Sequence, residues 1–224
     1  MNQQVKILPS LLAADFGNLE AAARKAAAEG ADGLHIDIMD GHFVPNLSMG
    51  PDVVLMASKV VKIPLHVHLM MDNPDSFIRR FIEAGSGTVL IHVEIKRDIR
   101  TILAEIRKSG AKAGITLNPD TPADAVYPFA EAVDEILCMT VFPGYGGQKF
   151  IPSVVSKIAD IRSFMNGRGM RADLSVDGGI NADTGAICAG AGANVLIAGA
   201  SLFKAPDFAT AMKTMRGKAR NVYQ

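Results

Sequence analysis

Three short apolar segments carry side chains that bind metals and move protons: Leu34-His35-Ile36-Asp37, Leu65-His66-Val67-His68 and Leu174-Ser175-Val176-Asp177. Side chains alternate across a strand, so His35 shares a face with Asp37 and His66 with His68. Where parallel strands meet, imidazoles and carboxylates from such segments can converge. An isolated strand histidine is usually a hydrogen-bonded core residue. Several imidazoles and two carboxylates in one barrel mouth are costly unless a cation or a substrate compensates them, which favours His35, Asp37, His68 and Asp177 as the ligands of one divalent metal. Two histidines and two carboxylates suit zinc first, and iron, manganese or cobalt also fit. A carboxylate left partly free beside the ion can move protons, so an enzyme is the leading reading and a structural metal the second.

A second constellation is rich in glycine. Pro143-Gly144-Tyr145-Gly146-Gly147-Gln148, Asp177-Gly178-Gly179-Ile180-Asn181 and Ala198-Gly199-Ala200-Ser201 each follow a strand-like run. Any one of them can be only a tight turn. Three in successive positions favour backbone N–H groups turned toward a phosphate, as in the loops after the last strands of a (β/α)8 barrel.

The elements that must hold these residues read as eight strand and helix pairs. Strands are expected at Val5–Leu8, Gly33–Ile38, Leu65–Leu69, Thr88–Val93, Ala111–Leu117, Glu135–Met139, Arg171–Val176 and Val195–Ala198. The helices between and after them are expected at Leu19–Glu29, Pro51–Val61, Ser76–Ala84, Ile99–Lys108, Pro152–Asn166, Ala182–Ala189 and Asp207–Ala219, with a weaker one near Pro122–Ala130. Gly30, Gly85 and Gly110 sit where helix C-terminal caps belong. Strict alternation implies right-handed crossovers and a parallel sheet, and eight units in 224 residues fit a closed α/β barrel, a (β/α)8 TIM barrel, formed by residues 1–224 as one domain. In such a barrel chemistry belongs at the C-terminal strand ends. Four of the five histidines lie there, with Met39, Met70, Met139, Glu94 and Thr140, and Ser10 follows the first strand.

Bulk properties exclude several classes. Lys plus Arg and Asp plus Glu both total 23, so no general basic field exists to hold nucleic acid or an anionic membrane. No run of about 18 apolar residues appears, and Met1–Val5 lacks the apolar core of a leader, so a cytoplasmic protein is expected. Cys138 and Cys188 lie in apolar stretches and read as buried free thiols.

Pro9-Ser10-Leu11-Leu12-Ala13-Ala14-Asp15-Phe16, the run from His35 to Asn46 (HIDIMDGHFVPN), His68-Leu69-Met70, Pro143 to Gln148 and Val176 to Ile180 together resemble the ribulose-phosphate 3-epimerase family, from Ile7 to about Phe203. The resemblance implies a metal-dependent isomerase that interconverts D-ribulose 5-phosphate and D-xylulose 5-phosphate in the pentose phosphate pathway. It implies one divalent metal on His35, Asp37, His68 and Asp177, no organic cofactor, and Asp37 and Asp177 as the acid and base on opposite faces of C3. Ser10 and His68 resemble substrate contacts, and Gly144, Tyr145, Gly146, Gly147, Gly178, Gly179, Gly199 and Ala200 the cradle of the sugar phosphate. In the family Met39, Met70 and Met139 surround the reacting carbon; by residue type alone they are as often core packing. Self-association, as a dimer or hexamer, is also implied. The chemistry is consistent, because epimerisation beside a ketone needs two bases and something to stabilise the enediolate. A redox group is unnecessary.

Two positions depart from the family pattern. His66 stands where an acidic residue is usual, and Phe142 where a polar one precedes Pro143; Phe142 is expected at the mouth, where it can change which sugar phosphate fits. An epimerase of another ketose phosphate, such as allulose 6-phosphate, is therefore the alternative, followed by a noncatalytic phosphate-binding barrel. The stretch from Pro143 to Phe150 is the expected lid.

Overall fold

The computed structural model describes residues 4–223 and contains β1 (Lys6–Pro9), β2 (Leu34–Met39), β3 (Leu65–Met70), β4 (Thr88–His92), β5 (Lys112–Leu117), β6 (Glu135–Met139), β7 (Asp173–Asp177) and β8 (Val195–Ala198). All residues of β2, β3, β4, β6 and β8 are buried, as strands covered on both faces must be. Every pairing is parallel, running from β2 through β7 to β8 and on to β1. A parallel bridge between Ser10 and His35 joins β1 to β2 and closes the (β/α)8 barrel at its C-terminal rim. The closing contact thus lies at the candidate site.

Strand alternation divides the apolar residues between two cores. Ile36, Val67, Val89, Ile115, Ile136 and Val176 face outward and pack under the helices. Leu8, Leu90, Leu137, Val195 and Ile197 fill the barrel's interior. Gly114 makes room there, since a Cβ at that position would stand 2.5 Å from a Leu90 methyl.

The helices are α1 (Leu19–Ala28), α2 (Pro51–Val60), α3 (Ile78–Glu83), α4 (Ile99–Lys108), α5 (Val154–Gly167), α6 (Ala182–Gly190), α7 (Ala200–Phe203) and α8 (Phe208–Val222). Their amphipathic faces close the outer core: Ile99, Ile102, Leu103 and Ile106 form the buried stripe of α4. Gly30, Gly85 and Gly110, the expected caps, all have positive φ.

Two differences from the sequence reading have physical causes. The weak helix expected near Pro122–Ala130 is replaced by two 3-10 turns, Ala123–Ala125 and Tyr127–Ala132. Pro128, inside the expected helix, lacks the N–H a continuous helix would need. The four-residue α7 was not expected, being too short to show a period. Cys138 and Cys188 are buried free thiols, and burial pushes both up to about 12. Among the described residues no helix is long and apolar enough to cross a membrane. Met1–Gln3, part of the segment read for a leader, lie outside the described residues.

Candidate active site

Asp37 is the centre of the barrel mouth. It occupies the inward face of β2, two residues after His35, and aligns with His68 across the β2–β3 pairing. Its Oδ1 lies 3.2 Å from His35 Nε2 and 3.2 Å from His68 Nδ1. Ser10 Oγ donates to Asp37 Oδ2 at 2.7 Å. The Ser10 hydroxyl is itself oriented, because it caps the turn that follows β1 and accepts from the Leu12 N–H at 3.3 Å. Asp177 approaches from β7, with β8 and β1 between it and β2 in the ring. Its Oδ2 is 3.9 Å from His35 Nε2.

One donor atom from each of His35, Asp37, His68 and Asp177 lies within 4.8 Å of the others. Tetrahedral coordination at about 2.0–2.2 Å sets donor separations near 3.3–3.6 Å. The two Asp37 spacings of 3.2 Å are close to that and the Asp177–His35 spacing of 3.9 Å is wider, so the four residues could hold a small divalent cation with a small inward adjustment of Asp177. His35 and His68 have no exposed surface and Asp37 is 3% exposed, whereas the Asp177 side chain keeps 17% of its surface open to the cleft.

The electrostatics of the two carboxylates diverge. Burial opposes a charge on Asp37, but His35 and His68 outweigh it and hold the carboxyl far below the usual range. Burial and the Asp37 charge together push Asp177 up to about 7. Burial also opposes charge on His35, yet Asp37, Asp177 and Glu135 keep it above its ordinary value. His68 is pushed down to about 4 by burial, which the Asp37 contact only partly offsets.

A cleft of about 240 Å³ opens beside the quartet. Ser10, Asp37, Met39, Met70, Met139 and Asp177 are among its lining residues, as are Tyr145, Gly146, Gly147, Gly178, Gly179, Gly199 and Ala200. Gly178 and Gly179 have φ of +117° and +64°, a backbone that glycine adopts freely. A Cβ on Gly179 would lie 2.5 Å from the Phe150 nitrogen, so the loops after β7 and β6 touch through bare backbone. Leu12, Ala13, Gln148, Asn181 and Ser201 also line the cleft and were not singled out from sequence; Gln148, Asn181 and Ser201 had a signal, since all three stand in the glycine-rich runs.

Four residues lie elsewhere than expected. His68 stands behind Asp37 and does not line the cleft. Gly144 packs on Val44, and its carbonyl accepts from Asn46 Nδ2 at 2.7 Å, tying the β6 loop to the β2 loop. Phe142, 50% exposed, is absent from the lining, because the alternation that brings Val141 and Pro143 to the cleft carries it away. His66 lies at the opposite, N-terminal end of the barrel, with Nδ1 3.1 Å from Glu135 Oε2. Glu135 was not singled out from sequence, where it reads only as the start of an apolar strand.

A parallel-stranded (β/α)8 barrel with a His/Asp quartet beside a glycine-lined cleft at the C-terminal strand ends is the layout of a barrel enzyme's active site. The Ribulose-phosphate 3 epimerase family model matches residues 6–203. Ribulose-phosphate 3-epimerase of Bacillus subtilis (strain 168) is 40% identical over 214 residues, 95% of this chain and 99% of that one. The enzyme of the same name from Methanocaldococcus jannaschii is 41% identical over 96% of this chain and 91% of its own length. The chain therefore belongs to the ribulose-phosphate 3-epimerase family and is an isomerase of the epimerase type. Among solved structures, KGPDC from Streptococcus mutans superposes with a TM-score of 0.71 at 14% identity, covering 99% of this chain and 100% of that one. 3-Hexulose-6-phosphate synthase from Salmonella typhimurium gives 0.67 at 18% identity over the full length of both. These two likenesses speak for the barrel alone.

Proposed function

We propose that this protein interconverts D-ribulose 5-phosphate and D-xylulose 5-phosphate, in the pentose phosphate pathway, with a divalent metal held by His35, Asp37, His68 and Asp177. One observation carries the reading: two carboxylates from separated strands converge on His35 Nε2, at 3.2 and 3.9 Å, one enclosed and the other open to the cleft. Such a pair presents one base and one acid at once.

Asp37, held ionised, takes the C3 proton from one face, and Asp177 delivers its proton to the other. After one turnover the two have exchanged states and are set for the reverse direction. The Ser10 hydroxyl fixes the Asp37 carboxylate, leaving Oδ1 to the imidazoles. A bound divalent ion would act as a Lewis acid toward the substrate's oxygens and stabilise the negative charge that develops as C3 loses its proton. Zinc suits the donor set, and iron, manganese and cobalt share it. Met39, Met70 and Met139, each under 5% exposed, keep water from the reacting carbon. Gly178, Gly179, Gly199 and Ala200 take the phosphate, with Tyr145, Gly146 and Gly147 across the cleft.

Because Phe142 does not line the cleft, it gives no reason to favour a different ketose phosphate. The decisive experiment is deuterium incorporation at C3 from solvent across a panel of ketose phosphates, with metal-free and reconstituted protein. Fastest exchange with D-ribulose 5-phosphate, lost on chelation and restored by zinc, iron, manganese or cobalt, is the expected result. Faster exchange with another ketose phosphate would reassign the substrate, and full turnover by demonstrably metal-free protein would remove the ion. A cytoplasmic location and self-association accompany the reading and are open to fractionation and light scattering.

A further inference from the structure

No lysine, arginine or histidine lines the cleft, so an anion held there depends on N–H dipoles. A peptide is a two-ended dipole: its planar trans geometry points the C=O of one residue opposite to the N–H of the next. The loop after β7 is where that matters most. Gly178 and Gly179 have φ of +117° and +64°, so the peptide between them has a glycine on each side and no side chain to resist its rotation. One orientation offers the cleft an N–H, and the other a carbonyl oxygen that repels phosphate.

Three hydroxyls decide between them. Thr140 Oγ1 lies 2.6 Å from the Gly178 carbonyl oxygen, Thr184 Oγ1 2.9 Å from that of Gly179, and Ser201 Oγ 2.6 Å from that of Ile180. A carbonyl cannot donate, so in each contact the hydroxyl is the donor. The three stand after β6, in the first turn of α6 and in α7, and they take three successive carbonyls. Thr140 Oγ1 is also 2.9 Å from the Asp177 carbonyl, but that oxygen already accepts the Thr140 N–H at 2.7 Å, which leaves the hydroxyl's single hydrogen to the shorter bond.

Met139 belongs to the barrel's interior, so alternation turns Thr140 outward, where it is fully buried and does not line the cleft. The Gly178 carbonyl is thereby drawn behind the loop, and the Gly179 N–H is left to the cleft that Gly179 lines. Thr184, also outside the lining, does the same for the next peptide and leaves the Ile180 N–H. Its oxygen accepts the Asn181 N–H at 2.8 Å, which fixes the hydroxyl in turn. Among the described residues, neither the Gly179 nor the Ile180 N–H has a backbone partner.

We propose that Thr140 and Thr184, with Ser201, are positioning residues for substrate recognition: their hydroxyls hold the carbonyls of Gly178, Gly179 and Ile180, so that the N–H groups of Gly179 and Ile180 bind the substrate's phosphate. The inference rests on the phosphate reading above and adds what orients the donors.

Thr140→Val keeps the side chain's shape and removes the hydroxyl, whereas Thr140→Ser keeps the hydroxyl. The probe is inorganic phosphate, titrated into the purified protein and followed by ³¹P NMR, with D-ribulose 5-phosphate as competitor. T140V should bind phosphate about tenfold more weakly than the wild type, and T140S within about twofold of it. KM for D-ribulose 5-phosphate should rise about tenfold in T140V while kcat falls by less than about threefold, a split that a general loss of active-site structure does not produce. Thr184→Val and Ser201→Ala should each weaken phosphate binding by about threefold, because both sites are only part-buried and water can replace the hydroxyl. Equal phosphate affinity in wild type and T140V would overturn the proposal with the phosphate reading intact, and so would a T140S as weak as T140V. If T140V does not fold, unchanged affinity in both T184V and S201A would overturn it instead. A wild type that binds no phosphate, or whose phosphate the sugar phosphate does not displace, would overturn the phosphate reading itself.

Discussion

Two buried assemblies of histidine and carboxylate occupy opposite ends of the same barrel. At the N-terminal end His66 and Glu135 face each other at 3.1 Å, one imidazole to one carboxylate. At the mouth, two imidazoles and two carboxylates gather within 4.8 Å. The residue types are the same and both sets are buried, yet only the mouth aims several lone pairs at one point and opens on a cleft. Buried His and acid residues therefore do not mark chemistry by their presence. Convergence of four donor groups beside an open cleft is what separates the candidate centre from a single imidazole–carboxylate contact on the floor.

The largest expected contrast is in turnover. Asp37→Asn and Asp177→Asn should each lower kcat by about 10²–10⁴-fold with an unchanged circular dichroism spectrum. If either variant keeps more than a tenth of wild-type kcat, that residue is no acid or base.

At the floor the effect should fall on stability. His66→Leu leaves Glu135 buried without its partner and should cost about 3–5 kcal/mol in urea unfolding, while His66→Leu with Glu135→Leu recovers most of the loss. A double variant no more stable than the single one would break the contrast between the two ends. The pair also sets a pH dependence. Burial raises the Glu135 pKa, but His66, Ser175 and His35 outweigh it and leave the group below its ordinary 4.5. The folded state thus binds fewer protons than the unfolded one, and the stabilisation is fully present above pH 4.5 and lost as pH falls through the lowered value. Urea midpoints between pH 3 and 7 should show this fall in the wild type, and a smaller one in the double variant.

Smaller effects belong to the cleft wall. Gly179→Ala sets a side chain on a positive φ and against the Phe150 backbone, a strain of about 1–3 kcal/mol, so KM for the sugar phosphate should rise about tenfold with kcat less affected. A drop in kcat at constant KM would place Gly179 with the proton chemistry instead. Smallest of all, Phe142→Asn, outside the lining, should change kcat/KM by no more than about twofold. A larger shift, or a new preference among ketose phosphates, would return Phe142 to the site.

Much of this architecture is local and therefore readable along the chain. Buried strands must alternate with amphipathic helices, so the eight units, the capping glycines and the C-terminal placement of His35, Asp37, His68 and Asp177 all follow from short-range pattern. Pro128 carried a warning against a helix that the weak periodicity there obscured. Other features depend on which strands lie opposite one another. That Glu135 on β6 meets His66 on β3, that Phe142 turns away from the cleft, and that a hydrogen-bond chain runs from Thr121 through Glu94 and His92 to His68 arise only when the ring closes. Sequence determined the supply of imidazoles and carboxylates, because residue type and strand period are properties of neighbours in the chain. Tertiary structure decided which of them stand close enough to share a proton or hold a cation, because those contacts join atoms that meet only across the barrel.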